Sequence, residues 1–181
     1  MRLSEDRFYE RFPCILITGK GFPDMATRAM VHALHNELQL PVYGLCDCNP
    51  FGIAILQTYQ RGSAKRGIDG GDRYTVPIQW AGLRPSQLSM YTDDLPNEVY
   101  QSLTDLDRKK IEKLCEETSP FINVPNGNKR LDELYDMAQL GYKVELEALH
   151  WLGMDKMCEW LEGLLRDDSE VDSSDDQQII I

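Results

Sequence analysis

The run Leu45-Cys46-Asp47-Cys48-Asn49-Pro50-Phe51-Gly52 ends an apolar stretch on a carboxylate and puts an amide, Asn49, two residues further on. A carboxylate at the end of a buried strand has to be solvated, paired or bound to a cation, because burial alone raises its pKa until it neutralises. Magnesium takes one or two carboxylates together with waters and phosphate oxygens. Asp47 could supply one such ligand and Asn49 a neutral carbonyl oxygen. The same residues also read as a plain turn, with Asp47 bonded to loop backbone and Asn49 capping the helix that Pro50 opens. On residue types and spacing alone, both readings stay open.

A second candidate is Thr18-Gly19-Lys20-Gly21-Phe22-Pro23-Asp24. Two glycines offer backbone N–H groups, Lys20 a cation, and Asp24 and Arg28 follow on the next turn. That set can meet a phosphate or a phosphate-bound metal. It lacks the G-x-x-x-x-G-K-[ST] spacing of a Walker loop, and Gly-Lys-Gly by itself is more commonly a tight turn. His32, His35 and His150 have no metal-ligand spacing and read as packed or surface histidines. The five cysteines contain no Cys-x-x-Cys pair, so neither a disulfide framework nor a zinc site is suggested, and Cys46 and Cys48 read as small buried hydrophobes. Trp80, Trp151 and Trp160 fit core or interface anchors better than base-stacking platforms.

The elements that must position these loops follow from hydrophobic period. Ile15–Thr18 is a short apolar run ending in Gly-Lys-Gly, suited to a strand buried on both faces. Ala26, Ala29, Met30, Ala33, Leu34 and Leu38 recur at helical spacing behind Asp24, a good N-cap. "PVYGLCD" reads as a second strand and "NPFGIAILQTYQRGS" as a second helix, stopped by Gly62. "YTVPIQWAGL" reads as a third strand. This alternation predicts an α/β fold with a parallel sheet flanked by helices. Lys65, Arg66 and Arg73 fall in a Gly-rich loop that could touch a nucleic-acid backbone, with Arg84 nearby in sequence. Beyond Leu83 the chain turns irregular, then helical: "LTDLDRKKIEKLCEETSP" forms an amphipathic pattern with Thr104 as a candidate cap and Ile111, Leu114 and Cys115 on one face, and further helical segments with little turn chemistry follow to about 165.

The formal charge is −11, but residues 167–181 hold six acids and no base, which leaves −5 for residues 1–166. A disordered acidic tail over 166–181 is expected, its three terminal isoleucines unexplained. No apolar run reaches the ~20 residues of a membrane span and no signal-peptide pattern opens the chain, so the expectation is an intracellular protein without a membrane partner.

The ordered motifs "CILITGKGFPDMATR", "LPVYGLCDCNPFGIAIL", "YQRGS", "VPIQWAGLRPSQL" and "KVELEALH" together resemble the A-type protein of topoisomerase VI, and more closely the eukaryotic meiotic double-strand-break proteins of that family. The resemblance covers roughly residues 1–155 and implies a Toprim domain over 1–165. It implies an Mg²⁺ site in which Asp47 matches the first acid of an Asp-x-Asp pair and Asn49 stands at the second. It also implies that Gly19, Lys20, Gly21, Pro23, Asp24, Thr27 and Arg28 line a DNA-facing edge, and that Glu145 is structural or dimer-related. Implied partners are double-stranded DNA, a second copy or a paralogue in a dimer, and a topoisomerase VI B-type subunit, in the nucleus. The family's Toprim glutamate precedes the segment matching "RLSEDRF", and its nucleophilic tyrosine belongs to a separate winged-helix domain. No tyrosine here matches that nucleophile by context, so no catalytic residue is assigned. The expectation is a Toprim domain truncated at its first strand, with one sheet edge unpaired, Mg²⁺ held weakly and no DNA cleavage by this chain alone.

Overall fold

The structure, a computed structural model, describes residues 2–62, 74–88, 94–118, 127–153, 155–169 and 179–181. In chain order its elements are α1 (Arg2–Glu5), α2 (Phe8–Arg11), β1 (Cys14–Ile15), α3 (Met25–Leu38), β2 (Tyr43–Leu45), α4 (Pro50–Arg61), β3 (Gln79–Gly82), α5 (Pro85–Leu88), β4 (Gln101–Ser102), α6 (Asp105–Thr118), α7 (Gly127–Leu140), β5 (Tyr142–Lys143), α8 (Lys156–Ser169) and β6 (Ile179–Ile180), with 3-10 turns at Asn97–Val99 and Leu146–Leu152. None of the described helices is long and apolar enough to cross a membrane. The chain divides into two units. One comprises Met1–Leu45, Ile55–Ala81 and Asp155–Ile181, the other Cys46–Ala54 and Gly82–Met154.

The first unit is the α/β part. Asp24 caps α3 as its position predicts: in extended backbone, its carboxylate accepts the Thr27 N–H at 2.7 Å. Helix α4 begins at Pro50 and stops at Gly62, whose φ of 80° is the left-handed conformation a helix end favours. β1 pairs in parallel with β6, and Val42 bridges Ile180 in parallel from the other side. Next to it, β2 pairs with β3, where the Gln79 N–H donates to Val42 O. Leu3, Phe8, Val31, Val42, Leu56, Ile78, Leu161 and Leu165 are buried in this unit. Gly44 is where α4 comes close to the sheet: a Cβ there would lie 2.1 Å from a Leu56 methyl.

The second unit is mostly helical. The amphipathic pattern in "LTDLDRKKIEKLCEETSP" is α6, and Thr104 caps it with a reciprocal arrangement: Asp107 accepts from the Thr104 N–H and O–H, and the Asp107 N–H donates to Thr104 Oγ1. Helix α7 packs on α6 and α5, and the Ser86 N–H and O–H donate to the buried Glu133 carboxylate at 2.9 and 2.5 Å. β4 and β5 form an antiparallel pair, Gln101 opposite Lys143 and Ser102 opposite Tyr142. The core is Leu83, Leu88, Ile111, Leu114, Leu134, Met137, Val144 and Leu149. Sequence pattern reads this region as helices with little turn chemistry; Gly141, at a φ of 74°, ends α7 and turns the chain into β5 instead.

Two expectations need correcting at the chain's far end. Helix α8 runs through Ser169, past the predicted boundary at 166, and Ile179–Ile181 are a buried strand segment rather than part of a tail. That strand also occupies a side of β1 that the resemblance left unpaired. The Gly-rich loop with Lys65, Arg66 and Arg73, and the acidic residues 170–178, lie outside the described residues.

Candidate functional site

The two candidate loops fall in different units, and each stands on its own geometry. At the end of β2, Asp47 is half-buried, and its Oδ1 accepts the Leu146 N–H at 2.9 Å, a residue 99 positions along the chain. Around it the backbone is tied on both sides. The Cys48 N–H donates to Val144 O at 2.9 Å and the Val144 N–H returns to Cys48 O at 3.1 Å, while the Leu83 N–H donates to Cys46 O. Asn49 is the cap that the plain reading required: its Oδ1 accepts the Gly52 N–H at 2.8 Å and its carbonyl accepts from Ile53. Helix α4 starts so close to the strand that a Cβ on Gly52 would sit 2.5 Å from the Asp47 carbonyl oxygen.

The donor set at this strand end is therefore one carboxylate, with an oxygen already engaged by Leu146, and one amide oxygen committed to the helix cap. Among the described residues no group of three or more His, Cys, Asp or Glu side chains could hold a metal ion. By themselves Asp47 and Asn49 supply too few ligands for more than a weak magnesium site. The neighbouring Cys48 thiol does not change this: burial, with Cys46, Glu133 and Asp47 nearby, pushes it far above the usual thiol range; in the other unit, burial raises Cys14 to about 11. Both are protonated at neutral pH, as small hydrophobes should be.

The Gly19–Arg28 loop presents the opposite inventory. Lys20 is exposed and takes a left-handed φ of 51°, its N–H donating to Thr18 Oγ1 at 3.2 Å, and Gly21 follows at a φ of 114°. Gly19 is required by a close approach: a Cβ would lie 3.2 Å from the Tyr59 hydroxyl. Asp24 is exposed, and its carboxyl is held below the usual range chiefly by the Thr27 N–H it accepts. Burial, and then the Asp24 charge, raise Tyr59 above the usual phenol value, so this tyrosine stays protonated. Arg28 departs from the surface position expected of it. It is 3 % exposed on α3, and its Nε and Nη1 are buried without a hydrogen-bond partner among the described residues.

The remaining candidates take structural places. His32 and His35 bond the carbonyls of Thr75 and Leu40, Glu145 precedes the 3-10 turn that supplies Leu146, and Trp151 is exposed. Two contributors are missed by pattern reading. Gly52 hides as an ordinary helix residue in "NPFGIAIL", though a glycine inside a helix start is itself a sign of close backbone approach. Leu146 acts through its N–H, which no spacing rule reveals.

A family model for the Toprim domain of the topoisomerase 6 A-type/Spo11 proteins matches residues 1–161. The chain is 41 % identical over 159 residues to the A3-type DNA topoisomerase 6 protein of Oryza sativa subsp. indica, covering 88 % of this chain and 35 % of that protein. It is 39 % identical over 159 residues to the A-type DNA topoisomerase 6 protein of Arabidopsis thaliana, covering 88 % and 36 %. Against meiotic recombination protein SPO11-2 of Oryza sativa subsp. indica it is 39 % identical over 155 residues, covering 85 % and 37 %. The chain thus spans little more than a third of the length of these curated relatives. The motif resemblance is borne out at the level of the family, while these identities set topoisomerase and meiotic proteins level rather than singling out the meiotic branch.

Proposed function

The chain belongs to the topoisomerase 6 A-type/Spo11 family, of which it carries the Toprim domain, and on that premise we propose that it is the DNA-engaging part of a double-strand-break protein acting in meiotic recombination. The observation that carries this reading is the match over residues 1–161, supported by relatives named for topoisomerase 6 and for meiotic recombination. In this reading the chain works in the nucleus on double-stranded DNA, as a dimer with itself or a paralogue and alongside a B-type subunit. Dimerisation follows from the chemistry, since two strands need two cutting centres related by symmetry.

The Gly19–Gly21 turn meets the DNA backbone. Lys20 supplies the positive charge and the two glycines let the chain approach a phosphate closely. Asp24 fixes the turn by capping α3, and the buried Arg28 is left out of that surface. Toprim domains bind Mg²⁺, and this chain holds it weakly, because Asn49 spends its oxygen on a helix cap and adds no charge. Asp47 is oriented by Leu146 and offers a single carboxylate.

The test is duplex binding and plasmid cleavage by the purified chain. We expect salt-dependent duplex binding that weakens several-fold in Lys20→Glu, with a salt slope smaller by about one, and no nicking or covalent adduct with or without Mg²⁺. A chain that fails to bind duplex at low salt, or binds equally well as Lys20→Glu, rules this reading out. Cleavage by this chain alone would also overturn it.

A further inference from the structure

Of the two glycines in the Gly19–Gly21 turn, only one is there for its backbone. Gly21 takes a φ of 114°, a conformation that side chains rarely adopt, whereas Gly19 lies outside that left-handed region. What a side chain at 19 would take up is space. A Cβ there would lie 3.2 Å from the Tyr59 hydroxyl, 3.3 Å from the Gly21 carbonyl oxygen and 3.3 Å from Pro23 Cα. The missing side chain leaves the Tyr59 hydroxyl directly against the inner side of the turn.

Tyr59 is held in that position by the fold. It sits in the last turn of α4, its carbonyl accepts the Val76 N–H at 3.1 Å, and the neighbouring Gln60 amide donates to Ile78 O at 2.8 Å. The residue is only 9 % exposed, yet its hydroxyl forms no hydrogen bond with any of the described residues. A phenol buried to that extent ordinarily finds a partner, so an unmatched one facing a turn marks a place for an acceptor from outside. The turn itself has the same shortage. The Lys20 N–H is spent on Thr18 Oγ1, but the N–H groups of Gly19, Gly21 and Phe22 meet no acceptor among the described residues. Asp24 has committed a carboxylate oxygen to the cap of α3. Burial, and then the Asp24 charge, keep the phenol protonated and so fix it as a donor.

We propose that the Tyr59 hydroxyl is a phosphate-binding group: it donates, from beneath the Gly19–Gly21 turn, to an unesterified oxygen of a DNA phosphodiester seated on that turn. The contact rests on the reading of the turn as the DNA-facing surface and adds to it a neutral donor from a separate helix. A phosphodiester suits the place because its two charged oxygens only accept hydrogen bonds, while the turn supplies N–H donors and one exposed cation, Lys20. The two side chains then do different things. Lys20 attracts through charge and gives binding its salt dependence, whereas a neutral phenol displaces no counterion and contributes equally at low and high salt.

The experiment measures duplex binding over a range of salt for the parent chain, Tyr59→Phe, Gly19→Ala and the double variant, with Lys20→Glu for comparison. Tyr59→Phe keeps the ring and removes only the hydroxyl. It should bind about three- to tenfold more weakly at every salt concentration, with the salt slope of the parent. Gly19→Ala puts a methyl in front of the hydroxyl and should weaken binding to a similar extent. Both changes remove one contact, so the double variant should stay within about twofold of the weaker single variant. Lys20→Glu should instead lower the slope by about one. If Lys20→Glu behaves in this way while Tyr59→Phe binds within about twofold of the parent, the proposal is overturned and the turn remains the DNA-facing surface. A Tyr59→Phe loss that changes the slope, or that adds in full to the Gly19→Ala loss, also overturns it, because the hydroxyl then acts through the fold. A parent chain that binds no duplex removes both the contact and the reading on which it rests. If Tyr59→Phe does not fold, Gly19→Ala decides by the same measure: weaker binding at an unchanged slope supports the contact, and parental affinity overturns it.

Discussion

The strand end at Asp47–Gly52 and the turn at Gly19–Arg28 contain similar polar groups and have used them differently. At the strand end, donors and acceptors meet inside the fold: Asp47 with Leu146, Cys48 with Val144, Asn49 with Gly52 and Ile53. At the turn, a cation stands exposed on a left-handed residue, and a buried guanidinium has nitrogens without partners among the described residues. A site whose polar atoms hold the fold together has few left for a ligand, whereas an exposed cation on a turn keeps its donors in reserve. The carboxylate that attracts notice in the sequence has an oxygen in a structural tie to Leu146, and the binding proposed for this chain rests on the exposed Lys20 of the turn.

The strand end should therefore break first when altered. In Gly52→Ala the new methyl would meet the Asp47 carbonyl at 2.5 Å, a contact that backbone must move to relieve. We expect a loss of about 3 kcal/mol, read as a drop of roughly 6–12 °C in Tm. The Gly19→Ala variant tightens the turn against a hydroxyl at 3.2 Å, which can shift, and should cost less than half as much.

A charged helix start in the second unit gives a yardstick for the neutral cap at Asn49. Burial pushes the Asp107 carboxyl up, but its bonds to the Lys143 ammonium and the Thr104 N–H and O–H outweigh this and hold it below the usual range. The unfolded chain then takes up this proton at a higher pH than the folded one. Stability from Asp107 is complete above the ordinary carboxyl value near 4 and is lost as pH falls through the lower folded value. We expect Asp107→Asn to cost roughly 2–3 kcal/mol at pH 7 and to flatten the acid limb of a urea-denaturation pH profile. Asn49 carries no charge, so Asn49→Ser should cost under about 1 kcal/mol with the same acid limb as the parent.

Much of this arrangement was legible in the residues, and the illegible part has a common cause. Asp24, Asn49 and Thr104 were readable as caps because a cap depends on side-chain type and a spacing of three residues. The α3 and α4 helices followed from apolar period and from Pro50 and Gly62. The Leu146 tie to Asp47 and the pairing of β6 with β1 join residues about a hundred or more positions apart through backbone groups every residue possesses. Nothing in composition marks them. The isoleucine triplet was visible as an anomaly, but its burial beside β1 depends on a pairing that only the assembled strands reveal. The burial of Arg28 was missed for another reason: it lies on the same turn of α3 as exposed neighbours, and helical period alone does not assign an arginine to the apolar side.

Arg28 sharpens the comparison from the side of the turn. A buried guanidinium with unmatched N–H groups costs stability, and an apolar residue of similar length removes that cost. Arg28→Met should raise Tm by roughly 2–4 °C, equivalent to about 1 kcal/mol. Duplex affinity should stay within about twofold, in contrast to the several-fold loss in Lys20→Glu. Should Arg28→Met weaken duplex binding as Lys20→Glu does, the reserve of donors at the turn extends beneath its surface and the guanidinium reaches the phosphate.

The smallest structural effect, and the most direct test of the contrast, belongs to Asn49→Asp. Asp and Asn cap helices almost equally well, and an oxygen at the same position can still accept the Gly52 N–H. The start of α4 should therefore be unchanged, with Tm shifted by no more than about 2 °C. What changes is charge: a second carboxylate two residues from Asp47 adds an attraction for a cation on the order of 4 kcal/mol per unit charge pair at an effective dielectric near 20, before desolvation is counted. Titration calorimetry should then show Mg²⁺ binding at least tenfold tighter than in the parent chain, and Asp47→Asn in the same background should abolish the gain. Tighter binding with an unchanged melt means that the neutral amide at 49 is what keeps this strand end from holding an ion. An unchanged affinity means that the helix cap retains the oxygen whatever its charge, and the limit lies in the geometry of the turn and not in the missing carboxylate.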